Sequence, residues 1–286
     1  RYSMGINVFT SLVNIVLDAL FLIVFRWGVA GAALASCIGM ALGTVLGLLP
    51  FLRKKLPLRF VRGRVPLHQL AALLANGSSE FFSSIAGSVL MVILNSVLLH
   101  LAGTPAVSAF SIVMYVDSIV GALLFGMADS MQPAISYNYG AGSRTRMFAL
   151  EKRVLTAAAA ISLAVLVWMQ LGGEQVIPLF LKEEDSALLD MTLRAMELFS
   201  LSYLLGWVST CLSSFFTALN RPGLSLVLAF SRTLVFPLLS LLVLPGALGL
   251  DGVWLISTST GVLTAILSLL FLLRVLRQEK LLSRTA

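Results

Sequence analysis

Residues 14–53 read NIVLDALFLIVFRWGVAGAALASCIGMALGTVLGLLPFLR, two apolar runs hinged at Gly28-Val-Ala-Gly31. Moved along the chain by 221 residues, the same hairpin returns near the C-terminus. Gly28 falls on Gly249, Gly31 on Gly252, Leu34 on Leu255, Ser36 on Ser257 and Arg53 on Arg274. Each copy is far too apolar for water and closes on a basic residue. Repeated membrane hairpins are a sequence mark of secondary transporters, which bind substrate between their repeats. The copies differ in one respect that bears on chemistry. Asn14 and Asp18 stand in the first, whereas the matching positions of the second hold Val235 and Leu239.

Composition points the same way along the whole chain. Of 286 residues 58% are apolar and 12% charged, against roughly 45–50% and about 25% in soluble domains. Apolar runs long enough to cross a bilayer recur throughout. The pattern predicts an all-α integral membrane protein with eight spans at about 6–26, 29–52, 78–101, 105–133, 154–171, 190–217, 224–245 and 251–274. Threading these spans leaves every basic residue of the connecting segments on one side, apart from Arg26 and Lys182. The positive-inside bias then predicts cytoplasmic ends and a multi-pass protein of the plasma membrane. It also explains the net charge of +7 without nucleic acid. The external loop at 172–189 carries Glu174, Glu183, Glu184 and Asp185.

The segment 53–75, interrupted by Pro57 and Pro66, reads as an interfacial linker between lobes. The expected division is 1–52 for the last two helices of a first lobe, 53–75 for the linker and 76–286 for a complete six-helix second lobe with a basic tail. Equal lobes would hold six spans each, so four more are expected before Arg1, and a chain opening on Arg rather than Met is read as a fragment.

The run GMADSMQPAISYNYGAG, Gly126–Gly142, resembles the end of the eighth helix of the multidrug and toxic compound extrusion (MATE) antiporters. Its Gln132-Pro133 and Tyr137-x-Tyr139 elements carry that likeness. The NIVLDALF…GVAGAALAS stretch is similar to the family's fifth and sixth helices, and SSFFTALNRPG and SRTLVFPLLSLLVLP to its tenth and eleventh. The resemblance implies helices five to twelve of a twelve-helix, two-lobe fold. It implies an ion-coupled antiporter that exports organic cations by alternating access, and an Asn–Asp pair in helix five for the coupling ion.

The polar residues within spans need individual reasons, because a charge at the bilayer centre costs about 2.5–3.5 kcal/mol on insertion scales. Asn14 and Asp18 are four residues apart and share a helix face. Asp18 lies about 18 Å into its span, near the midplane of a roughly 30 Å core. H⁺ is expected there rather than Na⁺, since a hard cation wants more oxygens than two residues supply. Glu80 and Asp117 are candidate contacts for a cationic substrate. Glu80 could equally serve the start of its own helix, after Ser78 or Ser79. Asp117 has no basic residue at its depth in this reading. Arg232 is predicted to pair with Asp129 and, failing that, with Glu80, as a tie within the second lobe. Arg194 and Glu197, three apart, are predicted to satisfy each other. The ridge of Gly39, Gly43 and Gly47 predicts close packing inside the bundle, and a monomer is expected. Pro133 and Pro237 predict bends.

Other functions fit less well. HExxH, GxSxG and paired His are absent from the sequence, so no enzyme, metal site or cofactor is expected. No filter or charge ring suggests a channel. The remaining alternative is a lipid-linked oligosaccharide flippase of the same two-lobe architecture, which would want a cavity rich in Arg and Lys. The partners expected are small cationic molecules and the lipid bilayer.

Overall fold

The computed structural model describes residues 2–52, 66–176 and 186–285, without the side chains of 71–83, 173–176, 186 and 279–285. Every regular element among the described residues is helical. The chain divides into two compact units, Arg1–Leu67 and His68–Ala286.

The first unit is one hairpin. Helix α1 (Tyr2–Ala19) runs into a π-helical turn, Leu20–Val24, and α2 (Gly28–Leu52) returns. Phe21 and Trp27 stack across the turn with ring centroids 5.1 Å apart. The reversal needs left-handed backbone, and Gly28 adopts φ 57° there. Gly31 is a close-approach position, since a Cβ would stand 3.0 Å from the Phe21 Cβ. Along the glycine ridge, Cβ atoms on Gly39 and Gly43 would meet Asn14 and Thr10 of α1, whereas one on Gly47 would meet nothing within 4 Å. Two of the three glycines therefore set how closely α1 approaches α2. The outer faces stay apolar and exposed, Ile15, Val16, Ile23 and Val29 among them. Such a surface suits hydrocarbon or other helices and not water.

The second unit opens with α3 (Leu67–Gly140), which is broken at Gly103 (φ 73°, ψ −164°) two residues before Pro105. Residues 67–75, read from sequence as part of the linker, already belong to this helix, because no Pro interrupts the chain after Pro66 until Pro105. After it come α4 (Arg144–Val176), α5 (Ser186–Ser200), a 3₁₀ turn (Leu201–Leu204) and α6 (Gly206–Ala218). Then α7 (Pro222–Phe230), a second π-helical turn (Ser231–Val235), α8 (Phe236–Leu248), the short α9 (Leu250–Trp254) and α10 (Ile256–Thr285) complete the order.

Six of these helices are long and apolar enough to cross a membrane, or seven if the pair around Leu205, bent by 42°, counts as one span. Eight is reached only if Ser84–Gly140 is counted twice. Its 57 residues and the break at Gly103 suit such a count, since a span needs about 20. The core lies along both arms of α3 with α4, α5 and α6, where Leu98, Val113, Ala158 and Met196 are fully enclosed. A second cluster joins α6 to α4 and α10 through Phe215, Phe216, Met147 and Val275.

The repeat seen in the sequence is also a repeat of backbone geometry. Gly249, the counterpart of Gly28, has φ 60°. Gly252, the counterpart of Gly31, has no room for a side chain, because a Cβ would fall 2.2 Å from the Leu244 carbonyl oxygen.

Candidate functional site

In the second unit the helices enclose a cavity of about 380 Å³. Four elements supply the side chains that give it character. The second arm of α3 brings Asp117 and Phe125, and the 3₁₀ turn brings Tyr203. Helix α6 brings Trp207 and Thr210, and the π-helical turn before α8 brings Arg232. Pro237 has no N–H to continue the helix ladder, and the widened turn lies just before it.

Each of the two charged residues has a neutral neighbour among the described side chains. The Tyr203 hydroxyl donates to Asp117 Oδ1 at 2.8 Å. Arg232 Nη1 donates to Thr210 Oγ1 at 2.6 Å, and the guanidinium lies 4.9 Å from the centre of the Phe125 ring. Aromatic faces attract cations, so Phe125 would attract a cationic guest as it attracts Arg232.

Two expectations from sequence need correction. Arg232 does not pair with Asp129. Asp129 Oδ1 accepts from Gln132 Nε2 at 2.8 Å and from the Ser214 hydroxyl. Gln132 Nε2 also reaches Ser214 at 2.7 Å, so the three residues tie α3 to α6. Arg232 lies over Phe125, only one turn before Asp129, yet Asp129 is bound to Gln132 and Ser214 and is not among the residues lining the cavity that holds Arg232. Asp117 shares its cavity with that basic residue, which the sequence reading did not bring together with it. The side chain of Glu80 lies outside the described residues, and so does most of the external loop, 177–185.

The other motif residues serve the helix end. Pro133 lies inside α3. Tyr139 lies beneath Arg144, 5.2 Å from ring centre to guanidinium carbon, and Tyr137 is 78% exposed. The predicted Arg194–Glu197 pair is present at 2.8 Å, and Asp251 joins it at 2.9 Å. Asp251 occupies the second hairpin where the first has Ala30.

In the first unit Asn14 lines a polar groove with Asn7, Thr10, Ser36 and Thr44. Its Nδ2 is buried without a hydrogen-bond partner. Asp18 is half-buried one turn further, directly before the π-helical turn, and it makes no hydrogen bond to Asn14. Sequence reasoning missed Tyr203, Thr210 and Phe125, none of which stands out in a chain this apolar. A polar residue next to a helix break would have been the signal, but the break at Leu205 has neither Gly nor Pro at that residue.

Fold and site together define a multi-pass membrane protein, helical throughout its described residues, with a largely apolar cavity that carries a few polar and charged side chains. The chain belongs to the MatE family, whose model matches residues 81–242. It is 27% identical over 271 residues to the multidrug export protein MepA of Staphylococcus saprophyticus, a match covering 91% of this chain and 58% of that protein. It is also 27% identical over 183 residues to the probable multidrug resistance protein YpnP of Bacillus subtilis, covering 62% and 40%. Among solved structures, an outward-facing MATE family transporter of the MOP superfamily superposes with a TM-score of 0.84. That match is at 24% identity over 95% of this chain and 61% of the other. A MATE protein in its straight conformation gives 0.85 at 23% identity. At such identities these likenesses speak for the fold. The chain spans 58% of the length of the MepA relative.

Proposed function

We propose that the protein is an ion-coupled antiporter that exports organic cations across the plasma membrane by alternating access, with both termini cytoplasmic. The cavity of the second unit carries this reading. Its volume of about 380 Å³ falls within the roughly 300–1,000 Å³ of small-molecule sites. Its wall offers a flat apolar cation what it needs: Phe125, Phe199 and Trp207 for the rings and Asp117 for the charge. The relatives' names, multidrug export and multidrug resistance, support the same substrate class.

Asp18 is the proposed carrier of the coupling ion, with Asn14 as its neighbour and H⁺ preferred to Na⁺. The Asn14 amide, buried without a partner, is a donor that a reoriented Asp18 carboxylate could accept from. A flippase would want several cations in its cavity, and Arg232 is the one basic residue among the described residues lining this one. The protein is expected to act as a monomer, without cofactor or nucleic acid.

Reconstitution in proteoliposomes tests the proposal. Tetraphenylphosphonium should move against an imposed pH gradient and bind less tightly to Asp117→Asn. Movement that ignores both pH and Na⁺ gradients would overturn it.

A further inference from the structure

Glu151 stands where the packing of α4 calls for an apolar residue. The buried face of that helix runs Met147, Glu151, Val154, Ala158 and Ser162, at helical spacing and each no more than 4% exposed. Glu151 begins about 10 Å into α4 at 1.5 Å per residue, past Arg144 and Arg146. Its Oε1 is buried with no hydrogen-bond partner. Helix α4 packs against α5, α6 and the 3₁₀ turn and shares its core clusters with α3 and α10. The described charged side chains of α3 and α10 near this level are Asp117 and Asp129, both hydrogen-bonded elsewhere, and the exposed Arg274 and Arg277. From these elements, Cys211 of α6 is the titratable side chain that feels Glu151. Tyr203 is committed to Asp117, and Arg194 and Glu197 are committed to each other and to Asp251. Asp190 is exposed, as are Lys152 and Arg153 on α4 itself, while Arg144 lies over Tyr139. Among the described residues no donor reaches Oε1, and burying an ionised carboxylate without one costs several kcal/mol.

Helix α6 links this group to the cavity. One of its faces carries Ser209 and Thr210 into the cavity wall, and Thr210 holds Arg232. Another presses Cys211 into the cluster that holds Val154, and Leu212 and Phe215 into the cluster that holds Met147. The helix starts after Leu205, whose φ of −132° and ψ of −17° leave the helical range, at the 42° bend. A helix hinged there can tilt as a unit.

We propose that Glu151 is a proton-binding site of the second unit. It holds a proton while α4 and α6 are packed together and releases it to water when they part, so that its occupancy is linked to the shape of the cavity across α6. The step is a plain proton transfer: the carboxyl O–H breaks, water takes the proton, and the carboxylate is hydrated in the opened seam. The link to substrate rests on reading the cavity as the substrate site; the proton site does not.

The test uses the protein in nanodiscs, wild type against Glu151→Gln, the shape-conserving neutral form. The infrared difference near neutral pH should contain a protonated-carboxyl C=O band that the variant lacks. Maleimide labelling of buried Cys211, referred to exposed Cys37, should accelerate with pH in the wild type. With each protein's rate divided by the thiolate fraction of its own Cys211, the wild-type-to-variant ratio should rise by up to about tenfold per pH unit for one linked proton. The pH dependence of tetraphenylphosphonium affinity should lose one proton's share in the variant. Absence of the infrared band would overturn the proton site, and a constant Cys211 ratio would overturn the opening. An affinity slope unchanged by the substitution would overturn the link to the cavity. Failure of both proteins to bind the probe would refute the substrate reading instead, leaving the first two measurements to decide on Glu151. Should Glu151→Gln not fold, Glu151→Met replaces it, because an apolar side chain of similar volume suits the same seam.

Discussion

Replacing Tyr203 by Phe removes one hydroxyl from the cavity and leaves the ring in its packing against Phe199, 6.2 Å away between centroids. What is lost is the 2.8 Å bond to Asp117 Oδ1. A hydrogen bond to a charged group contributes about 1.5–3 kcal/mol in soluble proteins. Between helices in membranes the measured mean is nearer 0.6 kcal/mol, with a maximum of about 1.7. The membrane scale should govern here, because Asp117 is half-buried on a cavity wall where water can take the place of the phenol. The expected coupling between Tyr203→Phe and Asp117→Asn is therefore about 1 kcal/mol, roughly a fivefold change in an equilibrium constant. Equilibrium unfolding in mixed micelles of the wild type, both single variants and the double variant completes the cycle. Single effects that add to within about 0.3–0.5 kcal/mol would refute the pairing.

Gly252→Ala should abolish folding or destabilise strongly, by more than the roughly 1–3 kcal/mol of ordinary overpacking, since its Cβ would fall 2.2 Å from a carbonyl oxygen. Gly47→Ala, facing open space, should be neutral or raise thermal stability, by up to about 1 kcal/mol. Ser214→Ala should weaken the α3–α6 tie by about 1 kcal/mol, and in the background of Asp129→Ala with Gln132→Ala it should cost little more, read by the same unfolding assay. Asp18→Asn should preserve expression and tetraphenylphosphonium binding yet stop efflux driven by a pH gradient; wild-type efflux rates would remove Asp18 from the coupling.

Several features of this protein were set by the sequence alone. Spans follow from apolar length, since the backbone must satisfy itself in hydrocarbon and only helices or closed barrels can do so there. The hairpin repeat was legible because left-handed backbone favours glycine, at Gly28 and Gly249, and close approach requires it, at Gly31 and Gly252. The break at Gly103 falls in the short gap expected between 78–101 and 105–133. What tertiary structure decided is which polar residues meet. Asp117, Tyr203, Thr210 and Arg232 stand far apart in the chain and share one cavity. Their meeting depends on the rotation and depth of four separate elements, two of them irregular turns, of which Pro237 marks one in the sequence. A side chain's depth can be counted along one helix, but the partner at that depth is fixed only by how neighbouring helices pack. For that reason Asp129 was assigned to Arg232 when it belongs to Gln132 and Ser214. Glu151 passed unnoticed beside Lys152 and Arg153 for the same reason: its burial is a property of α4 against α6, and no property of the residues around it in sequence.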